Sequence, residues 1–162
     1  MNLNKALSWA VKIGLFLLPL TPLFVTSSFL FPFITGKGFF FRIVTEIIFA
    51  LWLILALRDP DYRPRSSWIF KTFAILIVIL ILATVWGVNP YHSFWSNYER
   101  MEGLVSYLHL SAYFLVLISV MKTERLWGWF LHCSLAVNAV IGIYSLLQLA
   151  GKLKIHQGSA RV

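Results

Sequence analysis

Charge is scarce in this chain. Only 12% of the 162 residues are Asp, Glu, Lys or Arg, whereas 59% are hydrophobic and 17% are aromatic. Soluble globular domains carry roughly 45–50% apolar and about 25% charged residues. So few charges leave too much apolar surface for one water-exposed core of this length. The composition therefore disfavours an ordinary soluble domain and predicts that the solvent of this protein is a lipid bilayer.

Cysteine and the common catalytic motifs are also lacking. The single thiol, Cys133, has no partner for an intramolecular disulfide or a thiolate metal cluster. The histidines show no metal-ligand spacing such as H-E-x-x-H, and the chain has no G-x-x-x-x-G-K-[ST] loop, G-x-S-x-G elbow or paired D-x-D site. These absences disfavour metal, nucleotide and soluble-hydrolase chemistry, so we expect neither a metal nor another cofactor.

Acidic residues are scarce too, and the formal net charge is +8. In a soluble domain such an excess would suggest nucleic-acid binding. Here the basic residues mostly lie at the ends of apolar runs and form no basic stripe, which is what the positive-inside rule predicts for a membrane protein. No nucleic-acid partner is expected.

What the chain has in abundance is long apolar runs, each near the 20 residues that cross a bilayer as a helix. The predicted spans are residues 13–36, 38–57, 68–88, 103–121 and 126–151. Helices are expected because lipid offers backbone amides no other partners. The predicted fold class is thus an all-α polytopic transmembrane bundle in a single membrane domain, 1–162, with about five spans and a short interfacial helix.

The first run has two special features. Lys5 and Lys12 before it would suit a signal peptide, but no small-x-small cleavage site follows, so a retained helix is the preferred interpretation. Pro19, Pro22 and Pro32 should bend or break that helix, as membrane helices tolerate when neighbours satisfy the freed carbonyls.

The distribution of basic residues predicts the orientation. One set of loops and termini carries Lys5, Lys12, Arg58, Arg63, Arg65, Lys71, Lys122 and Arg125. The opposite loops carry only Lys37, Arg42 and Arg100. The positive-inside rule then places the amino terminus in the cytoplasm and segment 91–102 outside. The tail, with Lys152, Lys154 and Arg161, disagrees with this assignment.

Segment 91–102 differs from an ordinary loop because aromatic and charged residues are mixed in it. As a helix it would place Phe94, Trp95, Tyr98 and Met101 on one face, the pattern of a helix in the interface plane. Trp and Tyr prefer that depth. Asn89-Pro90 before it predicts a turn out of the third span.

The charges of this segment, Glu99, Arg100 and Glu102, allow two interpretations. In the first they are solvated or mutually paired beside an aromatic anchor and contribute little. In the second the planar Arg100 fork binds a phosphate at headgroup depth. Glu99 and Glu102 would then orient the guanidinium, or one of them would act as a base.

Polar residues inside the spans are the remaining candidates. Arg42 and Glu46 have i, i+4 spacing and share a helix face, so they form either an internal salt bridge or part of a binding site. Four further polar residues are expected to form interhelical hydrogen bonds. They are His109, His132, Asn138 and Gln148.

With "NYERMEG" just ahead of one span and "YSLLQLAG" closing the next, the chain resembles the amino-terminal part of O-antigen ligase-family membrane proteins, a superfamily that includes the O-antigen polymerases. The resemblance implies a bacterial inner-membrane, metal-independent glycosyltransferase of cell-envelope glycans such as lipopolysaccharide. Its partners would be an undecaprenyl-diphosphate-linked oligosaccharide donor and a glycan acceptor at the periplasmic face.

The resemblance transfers no catalytic residue. The family's functional arginines and histidine lie in and around a large periplasmic loop among later helices, and this sequence contains no such loop. We therefore expect the carboxy-terminal part of the family fold to be missing and these residues alone to be inactive. Arg100 is the candidate for seating the carrier diphosphate. The alternative is a non-enzymatic membrane subunit or part of a transporter bundle, with Arg42, Glu46 and the broken first helix along a pathway.

The predicted orientation can be tested by labelling Asn97→Cys in a Cys133→Ser background. In cells without their outer envelope, a membrane-impermeant maleimide should label residue 97 before the cells are lysed, because segment 91–102 is predicted to face outward. If residue 97 is labelled only after lysis, segment 91–102 faces the cytoplasm and the predicted orientation is wrong.

Overall fold

The structure is a computed structural model that describes residues 3–24, 35–97 and 101–152. All regular elements in these ranges are helical, which confirms the all-α fold class. They are α1 (Leu3–Leu17), α2 (Thr35–Arg58), α3 (Trp68–Val85), α4 (Pro90–Trp95), α5 (Leu104–Val120) and α6 (Glu124–Leu149), with 3₁₀ turns at Leu18–Leu23 and Pro60–Tyr62.

Four of these segments are long and apolar enough to cross a membrane: Leu3–Leu23, α2, α3 and α6. The fifth apolar helix, α5, is shorter, with 17 residues. Large apolar side chains cover much of the outer surface, and α3 has no buried residue at all. A helix that is apolar and yet exposed on this scale is suited to contact with lipid chains.

Side-chain caps start three of the helices. Ser67 accepts a hydrogen bond from Phe70 N at the start of α3, and Asn89 accepts one from His92 N at the start of α4. Thr123 does the same for α6. Each cap satisfies an amide that has no partner within its own helix. The start of these helices is therefore determined locally by the sequence.

The first helix departs from its predicted bounds. It begins at Leu3, ten residues before the predicted start, so Lys5 and Lys12 lie within it. Polar residues of its first turns have partners on other elements, as described below, which allows the helix to include them. The predicted break is confirmed at Pro19 and Pro22, because α-helical geometry ends at Leu17 and a 3₁₀ turn follows. Pro32, with residues 25–34, lies outside the described part.

The helix predicted in segment 91–102 is present but shorter than predicted. Asn89-Pro90 opens α4 rather than a simple turn, with Pro90 in its first turn. The helix ends at Trp95, the following Ser96 has a φ of 58°, and Met101 also has a positive φ of 50°. The predicted aromatic stripe therefore does not continue along one helix to Met101, and Tyr98 lies outside the described residues.

Helix α2 is the centre of the bundle. It packs against α1 where Gly14 faces Ile48, and a Cβ at Gly14 would collide with the Ile48 side chain, which is 1% exposed. Helix α5 lies on another side of α2 and runs in the same direction. Helix α6 docks through Phe130, whose ring meets Phe16 edge-on at 5.8 Å. Helix α3 contacts α5 through Phe73 and Phe114, whose rings are 4.5 Å apart.

Polar contacts connect the elements at one end of the bundle. Arg58 Nε donates to Asn4 Oδ1 at 3.0 Å, and Tyr62 OH donates to Ser8 Oγ at 3.2 Å. Lys122 Nζ lies 4.3 Å from the centroid of the Tyr62 ring, a cation–π contact. The start of α1, the end of α2 and the α5–α6 loop thus meet at one end, which we call the basic end.

The close approach of α1 to α2 generates a paired prediction. Gly14→Ala should lower the free energy of unfolding by about 1–3 kcal/mol, because the added methyl overpacks a filled interface. Gly142→Ala is the matched control, since a Cβ there meets nothing within 4 Å. Removing a helical glycine should leave stability unchanged or raise it by up to about 1 kcal/mol. Denaturant unfolding in detergent measures both, and equal effects would contradict the packing described here.

Candidate functional site between α2 and α5

The guanidinium of Arg42 connects α2 to the segment that precedes α5. One nitrogen, Nη2, donates to the Met101 carbonyl at 2.6 Å and to Ser106 Oγ at 3.1 Å. The other, Nη1, lies 3.0 Å from the Met101 sulfur. Ser106 Oγ also donates to the Met101 carbonyl, at 2.6 Å. The Met101 carbonyl therefore accepts two hydrogen bonds, one from each helix, and the segment is tied to both.

The same segment is also held tightly against α4. Gly103 lies so close to the last turn of α4 that a Cβ would collide with the Phe94 carbonyl oxygen and come within 2.7 Å of the Ser93 oxygen. These are backbone atoms, and displacing them would distort α4, so only glycine suits the position. With Arg42 on one side and α4 on the other, the path of residues 101–103 is closely determined. We call residues 101–106 the anchored segment.

One turn after Arg42, Glu46 bonds to a histidine of α5. His109 Nε2 lies 2.9 Å from Glu46 Oε1, and His109 Nδ1 lies 2.7 Å from the Val105 carbonyl oxygen. Glu46 thus pairs with His109 across the helix interface, in addition to its electrostatic interaction with Arg42 one turn earlier. The prediction of an interhelical hydrogen bond for His109 is confirmed.

The structure places the other predicted site residues as follows. Glu102 is exposed and lies within the anchored segment, beside Met101. Glu99 and Arg100 lie outside the described residues, directly before the anchored segment in the chain. Arg42, predicted as a substrate-binding candidate, uses both terminal nitrogens for contacts with Met101 and Ser106.

Two polar residues of α6 behave differently from the prediction. Asn138 Nδ2 donates to the Ser134 carbonyl at 2.8 Å, and His132 Nδ1 lies 2.5 Å from the Gly128 carbonyl. Both bonds are made within α6, so the predicted interhelical role is wrong for Asn138 and His132. The physical reason is that the carbonyl four residues back is always within reach of such a side chain in a helix.

Sequence reasoning missed Met101 and Ser106 as polar partners. Ser106 follows Met101 by five residues and Arg42 stands one turn before Glu46, but no motif connects these positions. The signal that could have found them is the number of polar side chains in each apolar helix, because a polar group surrounded by lipid needs a hydrogen-bond partner within the protein. Chemically, the site offers a positioned guanidinium and a carboxylate–imidazole pair. Within the described residues, no group of three or more metal-ligating side chains is present.

Comparisons of the chain with protein-family models, with curated proteins and with solved structures find no match.

The contacts of Arg42 predict a graded loss of stability. Arg42→Ala should lower the free energy of unfolding by about 1–3 kcal/mol, because hydrogen bonds from a charged donor contribute that much and the Met101 carbonyl loses one partner. Arg42→Lys should fall between Arg42→Ala and the wild type, since an ammonium keeps the charge without the planar fork.

Lys37→Ala is the control for that series, because Lys37 is a half-buried cation near the start of the same helix. It should change stability by no more than about 0.5 kcal/mol. Chemical denaturation in detergent measures all three variants. A cost for Lys37→Ala as large as that for Arg42→Ala would show that the helix end needs positive charge rather than these particular hydrogen bonds.

Proposed function

We propose that the chain is part of a membrane glycosyltransferase of the O-antigen ligase type, which moves a glycan from an undecaprenyl-diphosphate carrier to an acceptor at the periplasmic face of the bacterial inner membrane. The observation that carries the proposal is the anchored segment. It directly follows Glu99 and Arg100 in the chain and is held to α2 and α4 at the end of the bundle opposite the basic end.

A fixed support suits the binding of a diphosphate without a metal. Donors stabilise negative charge best when they are already in place, because no reorganisation is then needed when the ligand arrives. Arg42 contributes to this as a positioning residue, since its terminal nitrogens hold Met101 and Ser106. Arg100 is then the group proposed to meet the diphosphate, and its fork suits paired phosphoryl oxygens.

The carboxylates complete the proposed site. Glu102 is exposed within the anchored segment and is available to a ligand. In the proposal Glu99 and Glu102 either orient the Arg100 guanidinium or supply a base that activates the acceptor hydroxyl. The apolar helices support the location, because a polyprenyl chain would lie in lipid against exposed side chains while its diphosphate stays at the helix ends.

A second candidate is a subunit or section of a transporter bundle. Two observations favour it: the first helix loses α-helical geometry at Leu18–Leu23, and the ionisable pair Glu46–His109 lies within the apolar helices. Broken helices and intramembrane charges are typical of substrate and ion pathways. In that case Arg100 would have no role in glycan transfer.

The test is glycan transfer by the complete gene product in cells that lack the native copy. Arg100→Ala should reduce transfer by about 10²–10³-fold, the loss typical of removing one preorganised donor, while membrane insertion stays normal. Arg100→Lys should retain part of the activity because the charge remains.

Arg65→Ala is the matched control, because Arg65 is an exposed arginine in the loop at the basic end. It should leave transfer unchanged. If Arg100→Ala, present at the wild-type level, also transfers glycan normally, the charges serve an aromatic anchor and the glycosyltransferase proposal loses its site. Solute transport that depends on Glu46 would then support the second candidate.

A further inference from the structure

The second contact between α2 and α5 needs more N–H donors than a neutral histidine has. Both ring nitrogens of His109 face oxygen atoms: Nδ1 lies 2.7 Å from the Val105 carbonyl, and Nε2 lies 2.9 Å from a Glu46 carboxyl oxygen. A carbonyl oxygen only accepts, so a hydrogen bond to Val105 requires the hydrogen on Nδ1. A neutral imidazole has one N–H, and that hydrogen is then used. The contact with Glu46 needs a further proton.

From this geometry we infer that Glu46 and His109 form a proton-binding site that joins α2 to α5. With the proton bound, the pair is an imidazolium donating to a carboxylate, or a neutral ring accepting from a carboxylic acid. Without it, a ring lone pair faces an ionised carboxylate and the contact is repulsive. The inference concerns the protonation of this helix contact and does not depend on the proposed function.

The pair lies at an apolar surface of the bundle. Glu46 lies between Ile43 and Ile47 along α2, both more than half exposed, so its carboxyl group opens onto an apolar surface. An unpaired ionised carboxylate in such a place is costly. The His109 side chain is 15% exposed, whereas that of Glu46 is 67% exposed. The carboxyl group is therefore the exposed member of the pair, and the ring lies behind it.

Other ionisable groups surround the pair on the packed helices. Arg42 stands one turn before Glu46 on the same helix face and interacts with it electrostatically, and opposite charges at this spacing stabilise a helix. The inference therefore takes the imidazolium–carboxylate form of the pair. The remaining titratable side chains on α2, α5 and the elements packed against them are Lys5, Lys12, Lys37, Arg58, Asp61, Tyr62, Lys71, Tyr91, His92, Tyr107 and Tyr113. His92 is the other histidine among the elements named and needs its own control.

The proton site adjoins the anchored segment. Ser106, which accepts from Arg42, stands three residues before His109 on α5, and Arg42 stands four residues before Glu46 on α2. The two contacts are therefore successive steps of one interface between helices that run in the same direction. Loss of the proton should loosen the interface at the turn that holds residues 101–106.

The direction of the pH dependence follows from the additional proton that the contact between Glu46 and His109 requires. The contact is present at low pH, where the pair holds its proton, and is lost as pH rises and removes it. Protonating Glu46 as well does not break the contact, because the acid still accepts from the imidazolium. Since histidine changes its charge between about pH 5 and 8, measurements at pH 5.5 and 8.5 bracket the change.

The experiment compares the unfolding midpoint of the full chain in lipid nanodiscs at these two pH values. The matched variant is Glu46→Gln, because an amide accepts from an imidazolium through its oxygen and donates to a neutral ring through its nitrogen. Between pH 5.5 and 8.5 the wild type should lose about 2–4 °C more than Glu46→Gln, the shift that one such contact produces in a chain of this size. His109→Gln, whose amide does not titrate, should show the same reduced pH dependence.

Three controls address the other histidines of the chain. His92→Gln and His156→Gln should keep the wild-type pH dependence, and so should His132→Gln, whose Nδ1 contact is made within its own helix. If the wild type, Glu46→Gln and His109→Gln share one pH profile, the inference is overturned.

A second measurement tests the inference on the wild-type chain, even if the Glu46 or His109 variant fails to fold. Nitrogen-15 NMR of histidine-labelled wild-type chain should show both His109 nitrogens protonated at pH 5.5, and a neutral ring that keeps its proton on Nδ1 at pH 8.5. The His109 resonance is assigned by its persistence in His92→Gln, His132→Gln and His156→Gln, which remove the other three histidines of the chain one at a time. A ring that is neutral at both pH values with its proton on Nε2 would overturn the inference, because Nε2 would then donate to Glu46 without an added proton.

Discussion

Polar groups in an apolar helix must find their partners inside the protein, and this constraint shapes the interface between α2 and α5. Arg42 and Glu46 lie on one helix, Ser106 and His109 on the other, and each has a hydrogen bond across the contact. Lipid offers no alternative partner at these positions, so separating the helices would leave charged and polar groups exposed to hydrocarbon. The apolar contacts of the bundle determine the arrangement of the helices less strictly, because an apolar side chain can pack against lipid as well as against protein.

Helix α2 combines this polar face with a very close apolar one. On the side of α1, Gly14 removes the side chain that would separate it from Ile48, and the two helices pack at short range. Small residues serve the same purpose in membrane bundles generally, where dispersion contacts replace the hydrophobic effect as the force between helices. Helices α3 and α6 join at the periphery through aromatic contacts and expose long apolar faces. The bundle is thus organised around a central helix with two distinct kinds of interface.

The anchored segment is the part of the packed helices that forms the candidate binding site. Its first residue has a positive φ, its carbonyl accepts from Arg42 and Ser106, and Gly103 lets it pass close to α4. A loop at a helix end would ordinarily be free to move, but this one is tied to three elements. That arrangement supports the proposed binding of a diphosphate by the charges beside it. It also makes the protonation of the neighbouring Glu46–His109 pair relevant to the position of those charges.

Local physics determined much of this protein from its sequence. Apolar runs predicted the spans because a helix satisfies its own backbone, and Pro19 and Pro22 predicted the break because proline lacks an amide hydrogen. The tertiary structure alone decided that Glu46 pairs with a histidine 63 residues away, that Arg42 holds Met101, and that α1 starts at Leu3 with partners for its polar residues. Those contacts depend on the rotation and register of one helix against another. A nearly uniform apolar sequence carries little periodicity to specify either, so the partners become visible only when the helices are packed.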